Sequence, residues 1–337
     1  MTAAVALAVA VTITLVFDFT NGFHDSANSV AALVATRAAT PGAALLLAAV
    51  CHVAGPLLAG TTVADTVGGV VRLPAAEVLP AVGAAVTAGI TWNLLTWWRG
   101  LPSSSSHALV GGLVGACFVS TGPSGIRWGG VDGFHVAGVL GVLVGLALSP
   151  VLGAGLGAAA DRLARRALRR ARRRVDVAIR RAEWVSAGAL AFSHGANDAQ
   201  KSMGVITLLL VATGHLGTFA VPLWVKLAAA AALTLGTASG GWRVVKTVGR
   251  GIYRMRPVDG LASQGSSAAV ILTAAAAGAP VSTTHVVSAS VVGAGASRHT
   301  RHVRWAVVGE ICSAWLVTLP ACAVLGAAAL PLWRWLT

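Results

Sequence analysis

The stretch Phe192-Ser193-His194-Gly195-Ala196-Asn197-Asp198-Ala199-Gln200-Lys201 constrains the fold more than any other part of the chain. It sets six polar or charged side chains (Ser193, His194, Asn197, Asp198, Gln200, Lys201) between flanks apolar enough for membrane burial. An ionisable group at the bilayer centre costs about 3 kcal/mol or more, so such groups face the protein interior and mark ion or substrate pathways. The stretch has a counterpart near the N-terminus, Asn21-Gly22-Phe23-His24-Asp25-Ser26-Ala27-Asn28. In superposition Gly22 meets Gly195, Asp25 meets Asp198 and Asn28 meets Lys201. Two matched polar interruptions, one per half, are the sequence mark of a carrier built from two repeats with its site at their interface.

The 337 residues are 56% apolar and only 11% charged, with a mean hydropathy of +0.77. A soluble domain carries roughly 25% charged residues, so the composition predicts an all-α polytopic membrane protein. A barrel is excluded by the lack of alternating strands. A signal peptide over residues 1–20 is disfavoured, because no basic segment precedes the apolar run. The net charge of +14 does not signal nucleic-acid binding: ten of the arginines fall between Arg162 and Arg181. A basic cluster between apolar segments reads as a cytoplasmic loop, with anionic lipid as its neighbour. Cys51, Cys117, Cys312 and Cys322 lack metal-ligand spacing and read as small buried side chains.

In chain order, an apolar run over 2–20 breaks at Asn21-Gly22 and resumes to Arg37; spans follow over 42–64 and 78–98. After Leu101-Pro102-Ser103-Ser104-Ser105-Ser106-His107 the apolar run to Ser120 is too short to cross, since a crossing takes about 20 residues. A span over 134–158 closes the first half. The second half repeats the plan: a span over 184–212 broken by the opening motif, then 219–240, 261–278, a short run to Ala296, and 305–330. With the arginine linker in the cytoplasm, even numbers of crossings return Arg243–Arg256 and then Arg298–Arg304 to the same side, as their charge requires. Both chain termini then lie outside the cell membrane. Five crossing-like units per half is an odd number, so the repeats insert in opposite orientations. The reading is two inverted-topology repeats, 1–158 and 184–337, joined by a basic cytoplasmic linker, 159–183, with some units broken or re-entrant.

A second pair of motifs matches across the halves: Pro102-Ser103-Ser104-Ser105-Ser106-His107 and Pro280-Val281-Ser282-Thr283-Thr284-His285. Each precedes a short helix-like run. A helix start leaves N–H groups unsatisfied and favours Ser or Thr caps, which together make an anion site. Two such starts would surround a tetrahedral oxyanion. A dianion beside Asp25 and Asp198 is repelled by about 4 kcal/mol per unit pair at 4 Å and an effective dielectric of 20. The aspartates, with Asn21, Asn28, Asn197 and Gln200, therefore read as an oxygen-rich cation site or as proton carriers, and the pairing predicts symport of anion with cation.

Together with Trp92-Asn93, these motifs resemble the inorganic phosphate transporter (PiT) family over nearly the whole chain and in matching order. The Phe-His-Asp and Asp-Ala-Gln-Lys variants are most similar to the bacterial Pit-type low-affinity carriers. The resemblance implies import of inorganic phosphate with protons, including phosphate carried as a neutral complex with a divalent metal; other members couple to sodium. It also implies about 12 membrane segments counting broken ones, a homodimer, and no resident cofactor or fixed metal. Carried over by residue, phosphate ligands fall on Ser104, Ser105, Ser106, Ser282, Thr283 and Thr284, the paired aspartates on Asp25 and Asp198, and the amides on Asn28 and Asn197. Sodium-coupled members carry glutamates where this chain aligns His52 and Gln264. Their loss leans the coupling towards protons, and Lys201 would supply a fixed positive charge. The alternative for Lys201 is an ion pair with Asp25 or Asp198.

His24 and His194 are candidate proton relays, since histidine titrates near neutrality. His107 and His285 are candidates for orienting the hydroxyl loops. Asp18 and Glu310 lie in apolar runs as candidate coupling carboxylates, and Asp65 reads as an interface residue. His24-Asp25 is also the dipeptide of metal phosphohydrolases, but further ligands at metal spacing are missing. A channel filter needs ring symmetry, whereas this chain is duplicated. Sulfate, also tetrahedral, is the rival anion on the same fold.

Overall fold

The computed structural model describes residues 2–132, 135–136, 138–170 and 175–337. Twelve α-helices occur among them. The first half holds α1 (Ala3–Ala35), α2 (Pro41–Leu58), α3 (Thr62–Gly68), α4 (Ala75–Arg99), α5 (Ser105–Thr121) and α6 (Gly138–Ala167). The second holds α7 (Val175–Ala212), α8 (Leu223–Ser239), α9 (Trp242–Lys246), α10 (Pro257–Ala276), α11 (Thr283–Arg298) and α12 (Trp305–Leu336). Six helices are long and apolar enough to cross a membrane: α1, α2, α4, α5 with the turn that continues it, α6 and α12. The α8 and α9 segments pass that test together, bent by 62° at their junction. The chain is a multi-pass helical membrane protein.

Two expectations about breaks are corrected. α1 and α7 run unbroken through Asn21-Gly22 and through the opening motif. Their polar side chains take partners on other helices, so the backbone ladder stays intact. The breaks fall instead between α2 and α3, α8 and α9, α4 and α5, and α10 and α11. The run after Leu101 is also longer than expected: α5 and a 3₁₀ turn reach Gly125, 21 residues in all, enough for a crossing. Within the linker 159–183, α6 extends to Ala167 and α7 starts at Val175. Residues 171–174 of that linker lie outside the described residues.

The two halves pack by exchange. α1 lies on α8 and α2 on α7, while α5 lies on α12 and α6 on α11. Close approach at the first two contacts depends on glycine. A Cβ on Gly22 would stand 2.0 Å from the Leu233 carbonyl oxygen, and one on Gly236 2.0 Å from that of Phe19. Across the other contact, Gly55 and Gly195 meet the Phe192 and His52 backbones in the same way. Small residues at such crossings let backbones touch, which drives helix association in lipid. At one end of the bundle Arg334 of α12 and Ser120 of α5 bind Glu77, in the first turn of α4. At the other, Arg165 of α6 bridges Asp161 and Asp259, the latter in the first turn of α10, and Ser297 of α11 binds Asp161. Each clamp joins helices of both halves: α12 to α4 and α5 at one end, α6 to α10 and α11 at the other.

Candidate functional site

Helical spacing puts Asn21, His24, Asp25 and Asn28 on neighbouring turns of α1, and His194, Asn197, Asp198 and Lys201 on the matching turns of α7. All eight side chains are buried. The α1–α8 and α2–α7 contacts bring the two sets to one centre. His194 Nε2 stands 2.8 Å from Asp198 Oδ2 and 3.9 Å from Asp25 Oδ2, so one ring faces both carboxylates. Asp25 Oδ1 is 2.7 Å from His24 Nδ1. Lys201 forms an ion pair with Asp198, one turn away on α7. Of the two roles weighed for Lys201, the pair with Asp198 is the geometry found. The Asn21 amide reaches Asp198 Oδ2 at 3.5 Å.

The hydroxyl loops close on this centre. Ser104 and Ser282 cap α5 and α11, each accepting the backbone N–H of the histidine three residues on, His107 and His285. The two rings lie 4.8 Å apart, so these histidines tie the two helix starts together as well as receiving the caps. From the first turn of α11, Thr283 donates to Asp198 Oδ2 at 3.1 Å and Thr284 to Asp25 Oδ1 at 3.0 Å. Asn28 donates to Thr284 at 3.0 Å. Ser106 instead donates to the Val281 carbonyl, which links the first loop to the second. Ser105 is buried beside it in the first turn of α5. One half's hydroxyl loop thus holds both aspartates, and the other half's loop holds the first loop in place.

Gln200 has a structural partner: its Oε1 accepts the Val63 N–H in the first turn of α3, at the break after α2. Four buried oxygens at the centre have no hydrogen-bond partner, namely Asn21 Oδ1, Asp25 Oδ2, Asn28 Oδ1 and Asn197 Oδ1. Asp25, His194 and Asp198 offer atoms within 4.8 Å of one another, close enough to share one small cation. Asp18 is buried against Ser202 at 2.5 Å. Glu310 is exposed on α12, so its candidacy as a coupling carboxylate is withdrawn.

Sequence reasoning gave no role to His52 beyond its place in the alignment. Its Nε2 lies 2.9 Å from His194 Nδ1 and its Nδ1 lies 2.8 Å from Thr237 Oγ1. The one signal in the sequence was a histidine alone in an apolar span, which spacing could not connect to α7.

The Phosphate transporter family matches residues 21–179 and 160–326, which together take in most of the chain and both polar motifs. The chain belongs to this family. Among its relatives, a "Probable low-affinity inorganic phosphate transporter" of Rhizobium meliloti is 40% identical, over 94% of this chain and 93% of that one. One of the same name from Bacillus subtilis is 38% identical over 94% and 93%. Another from Mycobacterium bovis is 42% identical over 95% of this chain and 76% of its own length. A solved structure named "The sodium-dependent phosphate transporter" superposes with a TM-score of 0.87 at 24% identity, covering 99% of this chain and all of that one, which places the fold. Membership makes the chain a phosphate transporter and not an enzyme.

Proposed function

We propose that this phosphate transporter imports inorganic phosphate by symport with protons, through a centre between two inverted repeats, 1–158 and 184–337. The observation that carries the reading is that Thr283 and Thr284, on the hydroxyl loop assigned to phosphate, donate to Asp198 and Asp25. While both carboxylates are ionised they hold these hydroxyls and repel an incoming dianion. A proton on either carboxylate weakens its grip on the threonine and removes the repulsion, so the hydroxyl can turn to phosphate. Lys201 offsets the charge on Asp198 throughout the cycle. His194 bridges the carboxylates to His52, and each ring can hold a proton on either nitrogen, giving a relay from Thr237 to the aspartates.

A sodium-driven cycle is the second reading, favoured by the four unpartnered oxygens and by the sodium dependence in the name of the solved neighbour. Two acceptors, Asp25 and Asp198, beside the threonine hydroxyls support phosphate over sulfate. Hydrogen phosphate can donate a hydrogen bond to a carboxylate at neutral pH and sulfate cannot. In this reading the protein lies in the cell membrane as a homodimer, with the 159–183 linker cytoplasmic against anionic lipid, both termini outside, and divalent metal carried only as a complex with phosphate.

Counterflow tests the anion. Proteoliposomes preloaded with unlabelled phosphate are expected to accumulate labelled phosphate from outside, and a hundredfold excess of external sulfate is expected to leave the initial rate within twofold. Equal competition by sulfate would show that the site does not discriminate phosphate from sulfate.

A further inference from the structure

We infer that the linker face of the protein holds a second anion site, separate from the transport centre, that takes a multiply charged phosphate-bearing group. A cleft of about 640 Å³ opens between the end of α6, the segment before α10, the end of α11 and the segment before α12. Arg165, Arg254, Arg256, Arg298, Arg304 and His302 line it, against a single carboxylate, Asp259. Arg165 is already committed: it bridges Asp259 at 2.5 Å and Asp161 at 2.7 Å. Four further guanidinium groups therefore surround the space, with Asp259 and Asp161, which Arg165 already bridges, as the carboxylates beside them. The side chains of Arg254, Arg298 and Arg304 have no hydrogen-bond or ion-pair partner among the described residues.

An independent observation points to a ligand. Tyr253 also lines the cleft, is only 6% exposed, and its hydroxyl has no hydrogen-bond partner. Its ring is held against Gly295, where a Cβ would stand 2.9 Å from it, so the hydroxyl's position is set by packing. The phenol is a buried donor without a partner, near Asp259 and Asp161 as well as Arg165 and Arg298, and an oxyanion in the cleft would supply the missing acceptor. Guanidinium groups bind phosphate oxygens in pairs, and four of them match a group with several phosphoryl oxygens better than a single carboxylate. The clamp at the opposite end of the bundle, Glu77 with Arg334 and Ser120, has one arginine for its one acid. An occupant would join the segments flanking α10 and α12 to the end of α11, the helix whose start carries Thr283 and Thr284.

The chemistry could come from a soluble polyphosphate-type anion or from a lipid headgroup, and the test separates them. The full chain is placed in nanodiscs of zwitterionic lipid, and tripolyphosphate binding is measured by calorimetry. A parallel sample in mixed zwitterionic and phosphatidylglycerol lipid is examined by native mass spectrometry for retained anionic lipid. Arg254→Gln/Arg298→Gln is expected to weaken tripolyphosphate binding at least tenfold if the source is soluble, or to lose the retained lipid if the source is the bilayer. Asp25→Asn is expected to change neither, which separates this site from the transport centre. Both arginines are at the surface or half-buried, and an unchanged melting temperature establishes that the variant is folded. Arg304→Gln serves as a second variant with the same expectation. Tripolyphosphate and lipid retention both equal in native and variant proteins, or both absent from the native protein, would overturn the site.

Discussion

Asp25→Asn is expected to lower the initial rate of phosphate uptake at least 100-fold while leaving the protein folded. Asp25 accepts from Thr284 at 3.0 Å, contacts His24 at 2.7 Å and faces His194 at 3.9 Å. Asparagine keeps the shape and can still accept from Thr284, but it cannot take up and release a proton or balance a cation. The variant is fixed in the neutral form of a group that must cycle. A 100-fold loss corresponds to about 2.7 kcal/mol, within reach of one charged interaction in a buried setting. Initial rates in proteoliposomes, with melting temperature as the control for folding, check it. A rate within threefold of the native protein would remove Asp25 from the coupling machinery.

The second large effect is on stability. Lys201 is among the largest fully buried side chains and is paired with Asp198. Removing one partner of a buried pair strands the other charge and costs about 3–5 kcal/mol, whereas replacing both is close to neutral. Lys201→Met is therefore expected to lower the melting temperature sharply. Asp198→Asn/Lys201→Met is expected to recover most of that loss and to remain inactive in uptake. Thermal melts of the two variants in the same detergent read the difference. A double variant no more stable than Lys201→Met would show that the stranded charge is not what destabilises the single one.

The apolar runs made the all-helical, multi-pass class legible in advance. Asp25 and Asp198, and the Ser104–Ser106 and Ser282–Thr284 runs, are legible because the same residue types recur at matching places in each half. Their caps at Ser104 and Ser282 are local and follow from residue type. What was not legible depends on partners far along the chain. The polar run at Asn21-Gly22 looks like a helix break, because sequence does not show that Gly22 is pressed against the Leu233 backbone or that Asn21 reaches Asp198. Glu310 in an apolar run looks like a buried carboxylate until α12 is seen to turn it outward. His52 meets His194, 142 residues away in sequence, through the crossing of α2 with α7. The direction of the Thr283 and Thr284 hydroxyls, towards the aspartates in this conformation, is likewise a tertiary fact.

The ion that drives accumulation shows directly whether the paired-aspartate centre couples phosphate to protons. Purified protein in proteoliposomes is given labelled phosphate under an imposed inward proton gradient and, separately, an inward sodium gradient, with phosphate speciation matched outside. Accumulation is expected under the proton gradient, with collapse on adding a protonophore and absence in Asp25→Asn. Accumulation that requires sodium and persists with the protonophore would contradict proton coupling and give the centre to a sodium ion.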